Sequence, residues 1–441
     1  MPPRSRMWNP LRELAVAPNP GVLGMVAVVG VLGGAAGAAF VGALKLLERG
    51  LWPTHWHTLP HLFVLLGVGV AVGILTWVLG SPGDVELLVD NIHVLGGNED
   101  LRDLRSLIPV SLLCISAGGA MGPEAPLVQT TGSLGTWVAR RRRLGTVDVR
   151  ILTITGMAAG FTVLFGAPLG SAVFALELLH RRGLEYYEAL LPAVVGSLCG
   201  YAVYATITGL GLAPVWRFPA AQAIDGADLL WAVAAGAAGA AVAATFSYGS
   251  LGLRWLFRRL PPTVRPVVGG LALGALAFLS PYALTFGEAQ VDPLLARRAL
   301  MATFALALVA KLAGTAVTLA SGWRGGFIIP LFFMGVAMGR LGHVLFPGTH
   351  EVVLMAAAMA AANVGVTKTP LGSTIVVSEM AGIRLFPTTL VAALVALVLT
   401  SPVGLIDSQR DREGAYDRTT DKGATPPELD DADVGPEPSA A

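Results

Sequence analysis

The stretches of this 441-residue chain that contain no Asp, Glu, Lys or Arg include residues 21–44, 60–83, 229–253, 266–287 and 385–406. Each reaches the roughly 20 residues that a helix needs to cross a hydrocarbon core. Charged residues make up only 13% of the chain, against about a quarter in a soluble globular protein. The alternating ten-residue pattern of an outer-membrane barrel is absent. An all-α polytopic membrane protein is the class that remains, with the lipid bilayer as its solvent.

The next constraint is one charge. Between Arg105 and Arg140 the chain carries a single charged residue, Glu124, within Gly122-Pro123-Glu124-Ala125-Pro126. A carboxylate at bilayer depth costs several kcal/mol unless it is protonated, paired or facing water, so it is a functional candidate by default. The flanking glycine and prolines interrupt the helix. Broken backbone at that depth is tolerated only inside protein or beside a water-filled cavity. One acid on an interrupted helix points to an ion pathway, while a plain helix cap remains the alternative role for Glu124.

The chain also repeats itself. Gly166-Ala167-Pro168-Leu169-Gly170-Ser171, followed by Glu177, matches Lys368-Thr369-Pro370-Leu371-Gly372-Ser373, followed by Glu379. The offset is 202 in both pairs (370 − 168 and 379 − 177), and Met157-Ala158-Ala159 meets Met359-Ala360-Ala361 at the same offset. Pro126 has its counterpart in Pro330 of Gly325-Gly326-Phe327-Ile328-Ile329-Pro330, at offset 204. Matched helix breaks in two halves are a transporter architecture, with the substrate site where the repeats meet. Inverted and parallel arrangements stay equally open at this level.

Helices that start at such breaks expose unpaired N–H groups and about half a positive charge. Converging starts bind an anion without a fixed cation. The candidates are Gly80-Ser81-Pro82-Gly83, the Glu124 motif and the segment 325–330; Arg324 lies just before the third. Helix ends and hydroxyls hold an anion loosely enough for it to leave again.

On these motifs the chain resembles the CLC family of chloride channels and chloride/proton antiporters. Gly122-Pro123-Glu124-Ala125-Pro126 is similar to the family's GxEGP motif, 325–330 to its GxFxP motif, Gly80-Ser81-Pro82-Gly83-Asp84 to GSGIP, and the two Pro-Leu-Gly segments to its paired APL-type segments. The resemblance runs from about residue 20 to 405. It implies a homodimer of CLC-type subunits, each with two repeated halves and broken re-entrant helices. Glu124 then falls on the gate: ionised, it fills an anion site; protonated, it swings away and carries a proton. Ser81 falls on the family's anion-binding serine, or is a turn or N-cap serine beside Pro82. The backbone N–H groups of Phe327 and Ile328 fall on its amide donors, with Gly122 and Gly326 completing the anion-binding set.

The chain departs from the pattern in places. Phe327 sits one position early in its motif, and Ala125 replaces a glycine. The family's tyrosine, sought in residues 379–387, is absent there. Glu177 matches a structural glutamate, whereas the position of the proton-transferring one is Leu178. Glu177 and Glu379, at the ends of apolar helices, read as inter-helix pairing groups. The implied substrate is chloride or another small anion, with protons exchanged as one form of the reaction and a passive gated channel as the other. A non-conducting homologue is a third outcome.

An intramembrane enzyme using Glu124 as acid or base is the remote alternative, since no nucleophile or metal constellation accompanies it. The histidines show no metal spacing, Cys114 and Cys199 lie in apolar surroundings, and no cofactor is implied. A net charge of +1 argues against a nucleic-acid partner. The organisation expected is a cytoplasmic segment 1–20, membrane halves 21–210 and 225–406, and an acidic, disordered cytoplasmic tail 407–441. Basic clusters at the N-terminus, Arg140–Arg143, Arg181-Arg182 and Arg254–Arg265 place both termini in the cytoplasm of a bacterial plasma membrane.

Overall fold

In a computed structural model, residues 20–51, 58–80, 104–180, 186–209, 216–221, 223–296, 300–406 and 409 are described. Fifteen α-helices are numbered here: α1 (Pro20–Leu51), α2 (Thr58–Leu79), α3 (Leu104–Ser116), α4 (Glu124–Arg141), α5 (Thr146–Phe165), α6 (Pro168–Glu177), α7 (Leu190–Thr208), α8 (Gly226–Phe257), α9 (Arg265–Leu279), α10 (Glu288–Ala296), α11 (Met301–Ala320), α12 (Ile328–Leu345), α13 (Glu351–Thr367), α14 (Pro370–Ala381) and α15 (Phe386–Leu399). Seven described helices are long and apolar enough to cross a membrane. Large apolar side chains such as Trp77, Leu230, Leu279 and Val398 point outward, as expected where the solvent is lipid. Ser81, segment 1–19 and nearly all of the tail fall outside the described residues.

Two of the charge-free stretches hold shorter helices than their length suggests. Within 266–287 the helix stops at Leu279, and within 385–406 it stops at Leu399. Pro281 and Pro402 explain both stops, because proline lacks the N–H that a continuing helix needs. Each leftover piece bends back against the protein, and the second one becomes part of the site described below.

The repeat is visible in the helix starts. α4 begins at Glu124 and α12 at Ile328, 204 residues apart, with Pro126 and Pro330 in their first turns. α6 and α14 both open on the proline of a Pro-Leu-Gly segment. Proline is tolerated there because first-turn N–H groups have no intrahelical acceptor. The helices before them, α5 and α13, end on left-handed residues at offset 202, Gly166 (φ 64°) and Lys368 (φ 61°). Glycine adopts that conformation freely, whereas lysine does so at a cost. Lys368 is held there by Nζ bonds to the carbonyls of Gly365 (2.7 Å) and Thr400 (2.6 Å) and to the Thr400 hydroxyl (2.9 Å).

Reciprocal contacts settle how the halves are related. The Glu177 carboxylate, at the end of α6, accepts from the N–H groups of Leu371 (3.1 Å) and Gly372 (2.6 Å) at the start of α14. In exchange, Glu379 of α14 accepts from Leu169 (3.4 Å) and Gly170 (2.8 Å) at the start of α6. Each helix therefore begins where the other ends, so the pair is antiparallel and the halves are inverted. Gly170 and Gly372 let the two backbones touch: a Cβ on either would lie 2.5 Å from backbone atoms of Val376 or Phe174. The inter-helix role read for both glutamates is what the hydrogen bonds show. Phe161, Phe165 and Phe174 of the first half pack with Phe332 of the second, the Phe165 and Phe332 ring centroids being 5.7 Å apart.

A stability difference follows. Glu177 is buried, while Glu379 is only partly so. Charge-assisted bonds are stronger where water is excluded. Glu177→Ala is expected to destabilise the detergent-purified protein by about 2 kcal/mol and Glu379→Ala by under about 1 kcal/mol, so that Glu177→Ala has the lower melting temperature. Equal melting temperatures for the two variants would contradict the asymmetry.

Candidate functional site

The breaks before α4 and α12 meet at one point. Gly122 and Gly326 form an isolated antiparallel bridge, the Gly122 N–H donating to the Gly326 carbonyl (2.7 Å) and the Gly326 N–H to the Gly122 carbonyl (2.6 Å). Two backbone segments that leave their helices inside the protein thereby satisfy each other's polar groups, the condition for irregular backbone at membrane depth. The pairing also sets two helix N-termini side by side.

Glu124 lies across this bridge and is 1% exposed. Its Oε1 accepts from the Ile329 N–H at 2.5 Å, and the Ile328 N–H also interacts with the carboxylate. Oε2 is buried and has no hydrogen-bond partner among the described residues. The two glycines make room for it: a Cβ on Gly326 would stand 2.6 Å from Oε2, and one on Gly122 would also collide with the carboxylate. The carboxylate thus sits at the start of α12, where unpaired N–H groups and the helix dipole favour negative charge.

A cavity of about 20 Å³ adjoins the carboxylate, room for about one water-sized sphere. Its wall includes Glu124, Gly326, Phe327 and Ile328, together with Phe161, Leu178, Thr367 and Ile406. Among the described residues, Glu124 is the only titratable side chain on that wall. The one hydroxyl, on Thr367, bonds the Asn363 carbonyl (2.9 Å) and the Thr369 hydroxyl (2.7 Å). The arrangement offers helix N-termini, one carboxylate and apolar walls, which suits binding and release of a small anion.

Several expected residues converge here: Glu124, Gly122, Gly326 and Ile328. Phe327 joins them on the cavity wall and is the N-cap of α12, with its ring 6.0 Å from that of Phe246. The donor with a resolved bond is Ile329, because the free N–H groups of a helix lie in its first turn. Ser81 is outside the described residues, so its role has no structural reading. No residue of 379–387 lines the cavity, where a tyrosine was sought; the chain reaches it through Ile406, in the bent piece after α15.

One intramembrane charge escaped the sequence reading. Lys311 of α11 is fully buried, and its ammonium donates to the carbonyls of Leu284 (2.8 Å) and Thr285 (2.6 Å) and to Gln290 Oε1 (2.9 Å), 4.9 Å from the Phe333 ring centroid. Thr285 in turn donates its N–H to the Gly118 carbonyl (2.8 Å), so Lys311 steadies the turn that abuts the loop before Gly122. The reasoning that singled out Glu124, a lone charge in an apolar stretch, applies equally to Lys311.

A sequence profile of the family described as voltage gated chloride channel matches residues 89–401. A "putative chloride channel protein ClcB-like" of Ralstonia nicotianae is 30% identical, over 81% of this chain and 88% of that protein. A "chloride/fluoride channel protein" of Pseudomonas syringae is 27% identical, over 88% of this chain and 86% of its own length. Among solved structures, a CLC-type fluoride/proton antiporter superposes with a TM-score of 0.77 at 25% identity, covering 89% of this chain and 98% of its own. A slow cyanobacterial chloride/proton antiporter gives 0.76 at 23% identity, over 88% and 95%, and shows the shared fold.

Proposed function

Since the chain belongs to the voltage-gated chloride channel family, we propose that it carries a small anion, chloride or fluoride, through the cavity beside Glu124, with the Glu124 carboxylate as its gate. The observation that carries this reading is the Glu124 carboxylate itself, bonded to the Ile329 amide across a bridge of two glycines, with its second oxygen unpaired. Ionised, the carboxylate competes with the anion for the α12 N-terminus. Protonated, it has lost the charge that the helix end favours, and the anion takes its place. Exchange of the anion for a proton follows if the carboxylate releases that proton on the other side. The fold shared with two proton antiporters supports this version.

Leu178 favours a second reading. Among the described residues Glu124 is the only titratable group on the cavity wall, and its neighbour there at 178 is apolar. Without a second acid to pass the proton onward, the same gate describes a passive channel. Under either reading the working unit is a homodimer in the plasma membrane, with both termini in the cytoplasm; the family resemblance supports the first and the positions of the basic clusters the second.

The test is efflux of chloride and of fluoride from liposomes holding the purified protein, with external pH recorded. Anion efflux with opposed proton movement is the expected result. Efflux with no proton movement would establish the channel reading instead, and absence of efflux for both anions would refute anion transport by this chain.

A further inference from the structure

The floor of the cavity is made by two helix ends of opposite halves. Leu178 caps the C-terminus of α6, and Thr367 is the last residue of α13. Helix C-termini leave carbonyls without intrahelical donors and carry a partial negative charge. Uncovered, such carbonyls repel an anion in the adjoining space.

One side chain covers both. Gln409 is 5% exposed, and its Nε2 donates one hydrogen to the Leu178 carbonyl (2.8 Å) and the other to the Thr367 carbonyl (2.7 Å). A primary amide nitrogen has two donors and no more, so both are spent on this span. Gln409 also stands three residues after Ile406, a cavity residue, and its own N–H approaches the Ile406 carbonyl (3.4 Å). Two side-chain bonds therefore tie the first half, the second half and the terminal segment together where Leu178, Thr367 and Ile406 line the cavity.

We propose that Gln409 is a latch for that floor: a positioning residue that holds α6, α13 and the Ile406 segment together and so sets how widely the cavity opens opposite the glycine bridge. This rests on reading the cavity as the anion path. While the latch is made, only a small anion fits between Leu178, Thr367 and Ile406. When it breaks, the two helix ends are free to part and Ile406 to withdraw.

Two variants test it. Gln409→Asn keeps the amide but is one methylene shorter and reaches one carbonyl at most. Gln409→Glu keeps the shape, and its carboxylate has no hydrogen to donate. Gln409→Asn is expected to raise the ratio of thiocyanate to chloride efflux from liposomes by about three- to tenfold, the factor that corresponds to roughly one net hydrogen bond lost from the closed form, and Gln409→Glu, which loses both, by at least as much. A readout independent of transport is the labelling rate of Ile406→Cys by a water-soluble methanethiosulfonate, over the background of Cys114 and Cys199, which is expected to rise by a similar factor when Gln409→Glu is added. Unchanged efflux ratio and labelling rate in monodisperse protein would overturn the latch. So would failure of both variants to give monodisperse protein, which would assign Gln409 to folding. Absence of anion efflux from the wild type would instead strike the proposed function, and the labelling arm would still decide on the latch.

Discussion

Glu124→Gln is expected to keep chloride moving while abolishing any opposed proton movement and the pH dependence of the flux. Glutamine has the shape of the carboxyl group, retains an oxygen for the Ile329 N–H, and cannot titrate. It also lacks the charge that the α12 N-terminus favours. A charge-assisted hydrogen bond is about twice as strong as a neutral one, and a helix terminus adds up to ~2 kcal/mol for a partly buried charge. The gate should therefore close less tightly by about 1–2 kcal/mol, or roughly five- to thirtyfold in the competition with an anion. In the wild type, protonation removes the competing charge, so flux should increase as pH falls. In Glu124→Gln it should be flat. Efflux recorded between pH 4.5 and pH 8 with simultaneous proton monitoring reads both quantities, and a variant that still pumps protons would dismiss Glu124 as the gate.

The sequence carried the membrane class, the helix breaks and the repeat because each is written in residue types whose physics is local. A charge-free stretch, a proline in a first turn and a glycine before it mean much the same in any context. The offset of 202 predicted that Glu177 and Glu379 play equivalent parts, and they do, at each other's helix starts. Whether the halves are inverted was not legible, because a repeat offset is identical for both arrangements; only the antiparallel pairing of α6 with α14 distinguishes them. Ile329, Ile406 and Gln409 were missed for a related reason. Ile329 acts through its backbone, so no side-chain signal marks it. Ile406 and Gln409 follow the last helix, and only the bend forced near Pro402 returns them to a cavity built from residues far away in sequence. Lys311 was legible and overlooked.

Gly326 supplies the sharper test, because it separates the place of the carboxylate from its charge. In Gly326→Ala the added Cβ would stand 2.6 Å from Oε2, 2.7 Å from Cβ and 2.9 Å from Cδ of Glu124. Cβ atoms do not approach so closely, and overpacking of this kind typically costs 1–3 kcal/mol unless something moves. The bridge to Gly122 holds the loop by two short backbone bonds, so the softer response is for the Glu124 side chain to leave. The variant then keeps a titratable acid but displaces it from the Ile329 amide. Chloride efflux should persist with weaker pH dependence and a reduced proton count, although nothing in the acid's chemistry has changed. A double-mutant cycle isolates the cause. In Glu124→Ala there is no carboxylate to displace, so adding Gly326→Ala should change efflux far less than it does in the wild type, with a coupling of about 1–2 kcal/mol for groups in direct contact. What effect remains reports the clash with the Glu124 Cβ. If Gly326→Ala changes efflux equally in both backgrounds, the glycine serves loop packing alone, and the crossing of the bridge by the carboxylate has no part in gating.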